Sequence, residues 1–152
     1  DLWKRTQRKI GLWMQGQLLL GLLVGTIVYL GLRILQIEYA LVLAIMAAVF
    51  ELIPVFGPIL SAVPAILLGF SHSVTVGLLV FGFYLIVQQF ENHLIYPLVI
   101  RKTIGVPPLL VVLSLVIGGT LGGFFGIILS VPTAAVLVEF LNDIAAKKQR
   151  PK

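Results

Sequence analysis

The sequence predicts an all-α integral membrane protein in which two transmembrane spans alternate with two broken, re-entrant helical hairpins as an inverted repeat. Three observations carry that expectation. The first is hydropathy: 59% of the 152 residues are hydrophobic, mean hydropathy is +1.09, and 11% are charged, against roughly 25% in a soluble domain. Residues 10–32, 52–90 and 103–138 hold no Asp, Glu, Lys or Arg, and each stretch exceeds the roughly 20 apolar residues that cross a bilayer. The second is a Pro- and Gly-rich interruption inside each of two long apolar segments. The third is a motif that recurs after each uninterrupted span.

The same composition excludes a soluble globular domain and a disordered tail. It argues against nucleic-acid binding, because the formal charge of +5 sits in clusters and does not tile a surface. There is no cysteine, so no disulfide is expected. The chain reads as a single membrane domain over residues 1–152, with one repeat unit at about 10–70 and a second at about 74–142. Residue 1 is Asp and not Met, so a processed chain or a piece of a longer transporter is expected.

The first span is expected at Trp13–Leu32, after Lys4, Arg5, Arg8 and Lys9. Trp13 and Tyr29 stand near its ends, as interfacial aromatics do. It has no small-residue cleavage pattern and reads as a retained span. Gly21 and Gly25 form a GxxxG that lets another helix approach closely, although such spacing also arises by chance in Gly-containing spans. Tyr39–Phe70 follows and is interrupted at Glu51-Leu52-Ile53-Pro54-Val55-Phe56-Gly57-Pro58. Proline removes a donor and clashes with the preceding turn, so the helix breaks there. Arms of about 12–15 residues reach about 18–22 Å, short of a hydrocarbon core of about 30 Å. A re-entrant hairpin fits that length better than two complete spans.

Ser71-His72-Ser73 is the next polar break, and a second span runs from Val74 to Phe90. The last apolar stretch, Leu109–Leu141, is interrupted by Gly118, Gly119, Gly122, Gly123 and Gly126, with Pro132 beyond. Basic residues gather at the N-terminus, at Arg101-Lys102 and at Lys147, Lys148, Arg150 and Lys152. By the positive-inside rule these clusters, and with them both ends of this segment, are cytoplasmic.

Residues 56–65 read FGPILSAVPA and residues 125–134 read FGIILSVPTA. Each copy follows a span, and each unit crosses an odd number of times, so the second copy is inverted. Inverted repeats with discontinuous helices characterise secondary transporters, with the substrate site where the broken helices meet. The expected pathway residues are therefore Glu51, Pro54, Gly57, Pro58 and Ser61 in one break and Gly126, Ser130 and Pro132 in the other. Gly118 and Gly122 are expected to pack against another helix.

Glu51 is the most informative residue, because an acidic group inside a membrane segment is costly and functional by default. Its plain alternative is a structural carboxylate that meets the hairpin's own backbone donors. Gln88, Glu91 and Asn92 share a helix face, with Gln89 beside them. That face either lines the pathway or solvates a span terminus. His72 and His93 have no ligand spacing around them, so no metal site is expected. No GxxxxGK[ST], HExxH or GxSxG occurs and no cofactor is expected, so the chain does not read as an enzyme.

At these residues the sequence resembles the bacterial autoinducer-2 exporter family of permeases, also called PerM-like. The resemblance is carried by Gln15-Gly16-Gln17, by Glu51-Leu52-Ile53-Pro54 with Gly57-Pro58, and by Val87-Gln88-Gln89-Phe90-Glu91-Asn92 leading to Pro97. It ends with Gly118-Gly119 through Phe125-Gly126 to Val131-Pro132. Gln15 stands where the family often has Arg, and Val106-Pro107-Pro108 where it often has Leu-His-Pro. Family members are much longer, so this chain is expected to be their C-terminal part. The resemblance implies a bacterial inner-membrane exporter of a small polar molecule such as the quorum-sensing signal autoinducer-2, working as a homo-oligomer in the lipid bilayer. Some members resemble sodium/proton antiporters, which makes cation/proton antiport the alternative. A reading of another class is a membrane scaffold or assembly subunit, but a scaffold has no need of broken helices at mid-membrane depth.

Overall fold

The computed structural model describes residues 2–53, 56–95 and 108–148. Pro54 and the connection at 96–107, including Pro97, Arg101 and Lys102, lie outside the described residues. Every regular element among them is helical: α1 (Leu2–Ile34), α2 (Ala40–Phe50), α3 (Phe56–His72), α4 (Val74–Phe90) with a π-helical turn after it (Glu91–Ile95), and α5 (Pro108–Lys148). Ile10–Ile34, Val74–Ile95 and Leu109–Leu141 are long and apolar enough to cross a membrane. α2 and α3 are shorter apolar helices. Two compact units are present, residues 16–100 and residues 1–15 with 101–152.

In the first unit α1 buries a stripe of Gln17, Leu20, Val24, Val28 and Leu32, spaced by three and four so that they share one helix face. Leu18, Leu19, Leu22 and Leu30 stand exposed on the same helix. A Cβ on Gly25 would stand 2.9 Å from Ala48 Cβ and 3.1 Å from the Ala44 carbonyl oxygen, and one on Gly21 would stand 2.7 Å from the Ala48 carbonyl oxygen. Small residues thus bring α1 against α2 backbone to backbone.

α1 ends in a Schellman motif. Gln36 takes the left-handed conformation at φ 57°. Ile37 N–H donates to Leu32 O at 2.9 Å and Gln36 N–H donates to Arg33 O at 3.1 Å. Ile37 and Leu32 are both buried, which supplies the hydrophobic contact such caps carry. The link is short, so α2 returns along α1.

α2 stops at Glu51 as expected from the proline beyond it. Ile53 N–H donates to Phe50 O and Gly57 N–H donates to Ile53 O, each at 2.8 Å, so α3 starts almost on the end of α2. α3 and α4 then form a hairpin closed by Ser73, whose side chain accepts from Val76 N–H at 3.1 Å as an N-cap. A Cβ on Gly69 would stand 3.1 Å from Gly77 Cα, so the two helices touch at their glycines. α1 also packs on α4, where the Gly31 backbone sits against the Phe83 ring.

In the second unit α5 is two helices joined at Gly123, which has φ 55° and ψ −136°. Only glycine adopts that conformation readily. The arms fold back on each other: a Cβ on Gly118 would stand 2.9 Å from both the Gly126 carbonyl carbon and Ser130 Cβ. Trp13, Leu115 and Val131 form the buried core of this unit, with Val111 and Ile127 packed against them. A Cβ on Gly122 would meet no atom of a facing segment within 4 Å, so the close approach is made by Gly118 and Gly126.

Candidate functional site

Among the described residues, five buried polar or charged side chains interrupt the apolar packing: Gln17, Glu51, Ser61, Glu91 and Ser130. Four of them share the unit of residues 16–100, where helix ends and breaks bring them together. Glu51 stands at the C-terminal end of α2 and is 2% exposed. Its backbone carbonyl accepts from Gln17 Nε2. Gln17 belongs to the buried stripe of α1 and is 1% exposed. The α1–α2 contact at Gly21 puts α1 close enough for this, since a Cβ on Gly21 would also stand 3.6 Å from Glu51 Cβ.

Glu91 closes α4 at the start of the π turn and is 6% exposed. Its carboxyl lies within hydrogen-bonding reach of that of Glu51. π turns recur at functional sites because the extra residue re-aims the side chains around it. Two carboxyls side by side and out of water repel unless a proton, a cation or a donor stands between them. Glu51 Oε2, Glu91 Oε2, Gln17 Oε1 and the Tyr84 hydroxyl are all buried without a hydrogen-bond partner. Buried polar atoms are nearly always paired, so these four are places where water or another polar group would be met.

A cleft of about 260 Å³ opens beside the pair, enough for roughly nine waters at about 30 Å³ each. Its polar lining is Ser61, Tyr84, Gln88 and Glu91, set among apolar side chains of α1, α3 and α4 that include Val24, Ile66 and Phe81. Ser61 Oγ donates to the Pro58 carbonyl at 3.0 Å. Pro58 and Gly57 lie in the first turn of α3, and Pro58 borders the cleft.

Of the residues singled out in the sequence, Glu51, Gly57, Pro58, Ser61, Gln88 and Glu91 thus meet in this unit. Gln89 and Asn92 are exposed and do not line the cleft. His93, also exposed, has Nδ1 3.0 Å from the Gln89 carbonyl oxygen. Gly118, Gly126, Ser130 and Pro132 belong to the other unit. Pro54 lies outside the described residues. Gln17 and Tyr84 escaped the sequence reading as site residues. Gln17 could have been found as the polar member of an otherwise apolar buried stripe, and Tyr84 as an aromatic hydroxyl far from the interfacial ends of its span.

The two copies of the Phe-Gly-x-Ile-Leu-Ser motif adopt matching local structure. Each opens the helix that returns after a break, at Phe56 in one and just beyond Gly123 in the other. Each glycine presses on the backbone of the preceding arm, Gly57 on Phe50 and Gly126 on Gly118. Each serine is buried and donates to the carbonyl three residues back, Ser130 Oγ to Ile127 O at 2.6 Å.

Comparison with known proteins gives the chain its relatives. YueF of Bacillus subtilis strain 168, named a transport protein, is 39% identical over 143 residues, which cover 94% of this chain and 39% of YueF. YhhT of Escherichia coli K12, also named a transport protein, is 34% identical over 119 residues, covering 78% of this chain and 34% of YhhT. PerM of the same strain, named a permease, is 30% identical over 144 residues, covering 93% of this chain and 41% of PerM. The chain therefore spans between about a third and two fifths of the length of these relatives. With three helices long and apolar enough to cross a membrane among the described residues, it is a multi-pass membrane protein. Residues 1–146 match the family described as AI-2E family transporter, and the chain belongs to that family.

Proposed function

We propose that the full-length protein is a secondary transporter that exports a small polar solute such as autoinducer-2 across a bacterial inner membrane, coupled to a proton carried by the Glu51–Glu91 pair. The observation that carries this reading is the pair itself: two buried carboxyls with orphan oxygens beside a cleft of about 260 Å³. An acidic group at membrane depth costs about 2.5–3.5 kcal/mol on insertion scales, and two such groups with no Lys, Arg or His lining the adjoining cleft among the described residues serve no packing purpose. Proton exchange at the pair would change the local charge, and Gln17 and the π turn would pass that change to α1 and α4.

A second reading, cation/proton antiport, is favoured by the same orphan oxygens, which suit a small cation in place of the proton. The scaffold reading accounts for the glycine contacts but not for the buried carboxyls. In the proposed arrangement α2–α3 and α5 are re-entrant hairpins of an inverted repeat, which the matching geometry at Ser61 and Ser130 supports. The basic ends of the segment face the cytoplasm, and the working unit is a homo-oligomer.

Flux through the full-length protein in proteoliposomes tests this, with autoinducer-2, sodium and potassium as solutes and internal pH recorded. Glu51→Gln and Glu91→Gln should each cut flux at least tenfold and flatten its pH dependence, at near-normal protein level. Unchanged pH-dependent flux in both would refute the coupling role. Proton movement driven by sodium alone would select antiport.

A further inference from the structure

The chemistry of the solute is limited by the hydrogen-bonding inventory of the cleft. Of the side chains that line it, Glu91 carries a carboxyl whose Oε2 has no partner and, when ionised, is an acceptor only; the Glu51 carboxyl lies within hydrogen-bonding reach of Glu91 but does not itself line the cleft. The Tyr84 hydroxyl gives or takes one bond, and Tyr84 is 8% exposed. Glu51 also sits at the C-terminal end of α2, where unsatisfied carbonyls add partial negative charge. Among the described residues no Lys, Arg or His lines the cleft. The ionisable groups at the site are therefore acidic, and among the described residues none offers a positive charge to an anion.

We infer that the cleft selects a solute bearing a hydrogen-bond donor head, a protonated amine or a neutral hydroxyl, and rejects carboxylate and phosphate anions; this rests on the transport reading above. The head would sit at Glu91 and Tyr84, with Ser61 and Gln88 beside it. The carbon body lies along Val28 and Phe81, which line the same cleft. An anion entering there would be desolvated against the Glu91 carboxyl, with that of Glu51 within hydrogen-bonding reach of it and no counter-charge among the described lining residues, and buried uncompensated charge is among the costliest arrangements a protein can adopt.

The test uses three solutes of one chain length that differ only in their single polar head: 1-pentylamine, 1-pentanol and pentanoate. Equilibrium binding of each radiolabelled probe is measured on the full-length protein in lipid nanodiscs. The amine and the alcohol should bind, and the carboxylate at least tenfold more weakly. Glu91→Gln should weaken the amine tenfold or more and the alcohol far less. Tyr84→Phe, which keeps the ring and its packing, should weaken both. Equal binding of all three would mark an acyl-chain groove and overturn the inference, as would tight binding of the carboxylate or binding of none. Flux without any head-group preference would overturn this inference alone. Head-group preference without flux of any solute would overturn the transport reading and leave the selectivity of the cleft standing.

Discussion

Gly57→Ala tests whether the backbone contact at the α2–α3 break holds Glu51 in place. A Cβ on Gly57 would fall on the Phe50 carbonyl, 2.6 Å from its carbon and 3.2 Å from Glu51 N, where ordinary contact begins at 3.4 Å. The carbonyl carbon alone demands an opening of about 0.8 Å, and the carbonyl oxygen is closer still. The neighbour is backbone, so no side chain can swing aside. Opening the turn strains Gly57 N–H to Ile53 O and Ile53 N–H to Phe50 O, both 2.8 Å, each worth about 1 kcal/mol net. Overpacking adds about 1–3 kcal/mol, and alanine returns about 0.5–1 kcal/mol of helix propensity. The expected cost is about 2–4 kcal/mol. Gly82→Ala is the control: it lies within α4 and meets nothing within 4 Å, so it should be neutral or stabilising by up to about 1 kcal/mol. The assay is thermal unfolding of the full-length protein in detergent, with solute flux measured alongside. Gly57→Ala should melt clearly below wild type and lose flux, while Gly82→Ala should match or exceed wild type in both. Equal melting of the two variants would refute the close-approach argument.

Other outcomes follow from the same contacts. Gly126→Ala should lower the melting temperature, because its Cβ would collide with Gly118 of the facing arm, whereas Gly122→Ala should not, since nothing lies within 4 Å; the reverse order would mean that the arms do not meet at Gly118. Gln36→Gly should raise stability by about 1 kcal/mol by relieving a left-handed residue at φ 57°, and a fall would refute the capping geometry at the end of α1. Ser73→Ala should cost about 0.5–2 kcal/mol through the lost N-cap bond to Val76, read by chemical unfolding. Gln17→Leu should destabilise by about 1–3 kcal/mol because the Glu51 carbonyl loses its buried donor; unaltered melting would show that this carbonyl is met in another way.

Much of the architecture was legible in the chain. Uncharged runs longer than a bilayer require helices, because lipid offers backbone groups no other partner. The breaks were legible for a local reason too, since proline and glycine act on their own backbone. The structure accordingly ends α2 at Glu51 and bends α5 at Gly123. Glu51 could be recognised from a single position, because a carboxylate in an apolar segment is costly wherever its neighbours are.

What needed tertiary structure was the company each residue keeps. That Glu91 faces Glu51, while Asn92 beside it is exposed, depends on the pitch of a π turn and on how α4 packs against α3. Helix periodicity read from sequence placed Gln88, Glu91 and Asn92 on one face and could not separate them. Gln17 and Tyr84 became site residues only when α1 and α4 were packed beside the break, because a polar atom's partners lie across the fold and not along the chain. Gly118 and Gly122 share one sequence pattern, yet one touches the returning arm and the other borders open space. Hydropathy and backbone freedom are properties of short segments and can be read from sequence. Contact between distant side chains is a property of packing, and it was decided only when the helices came together.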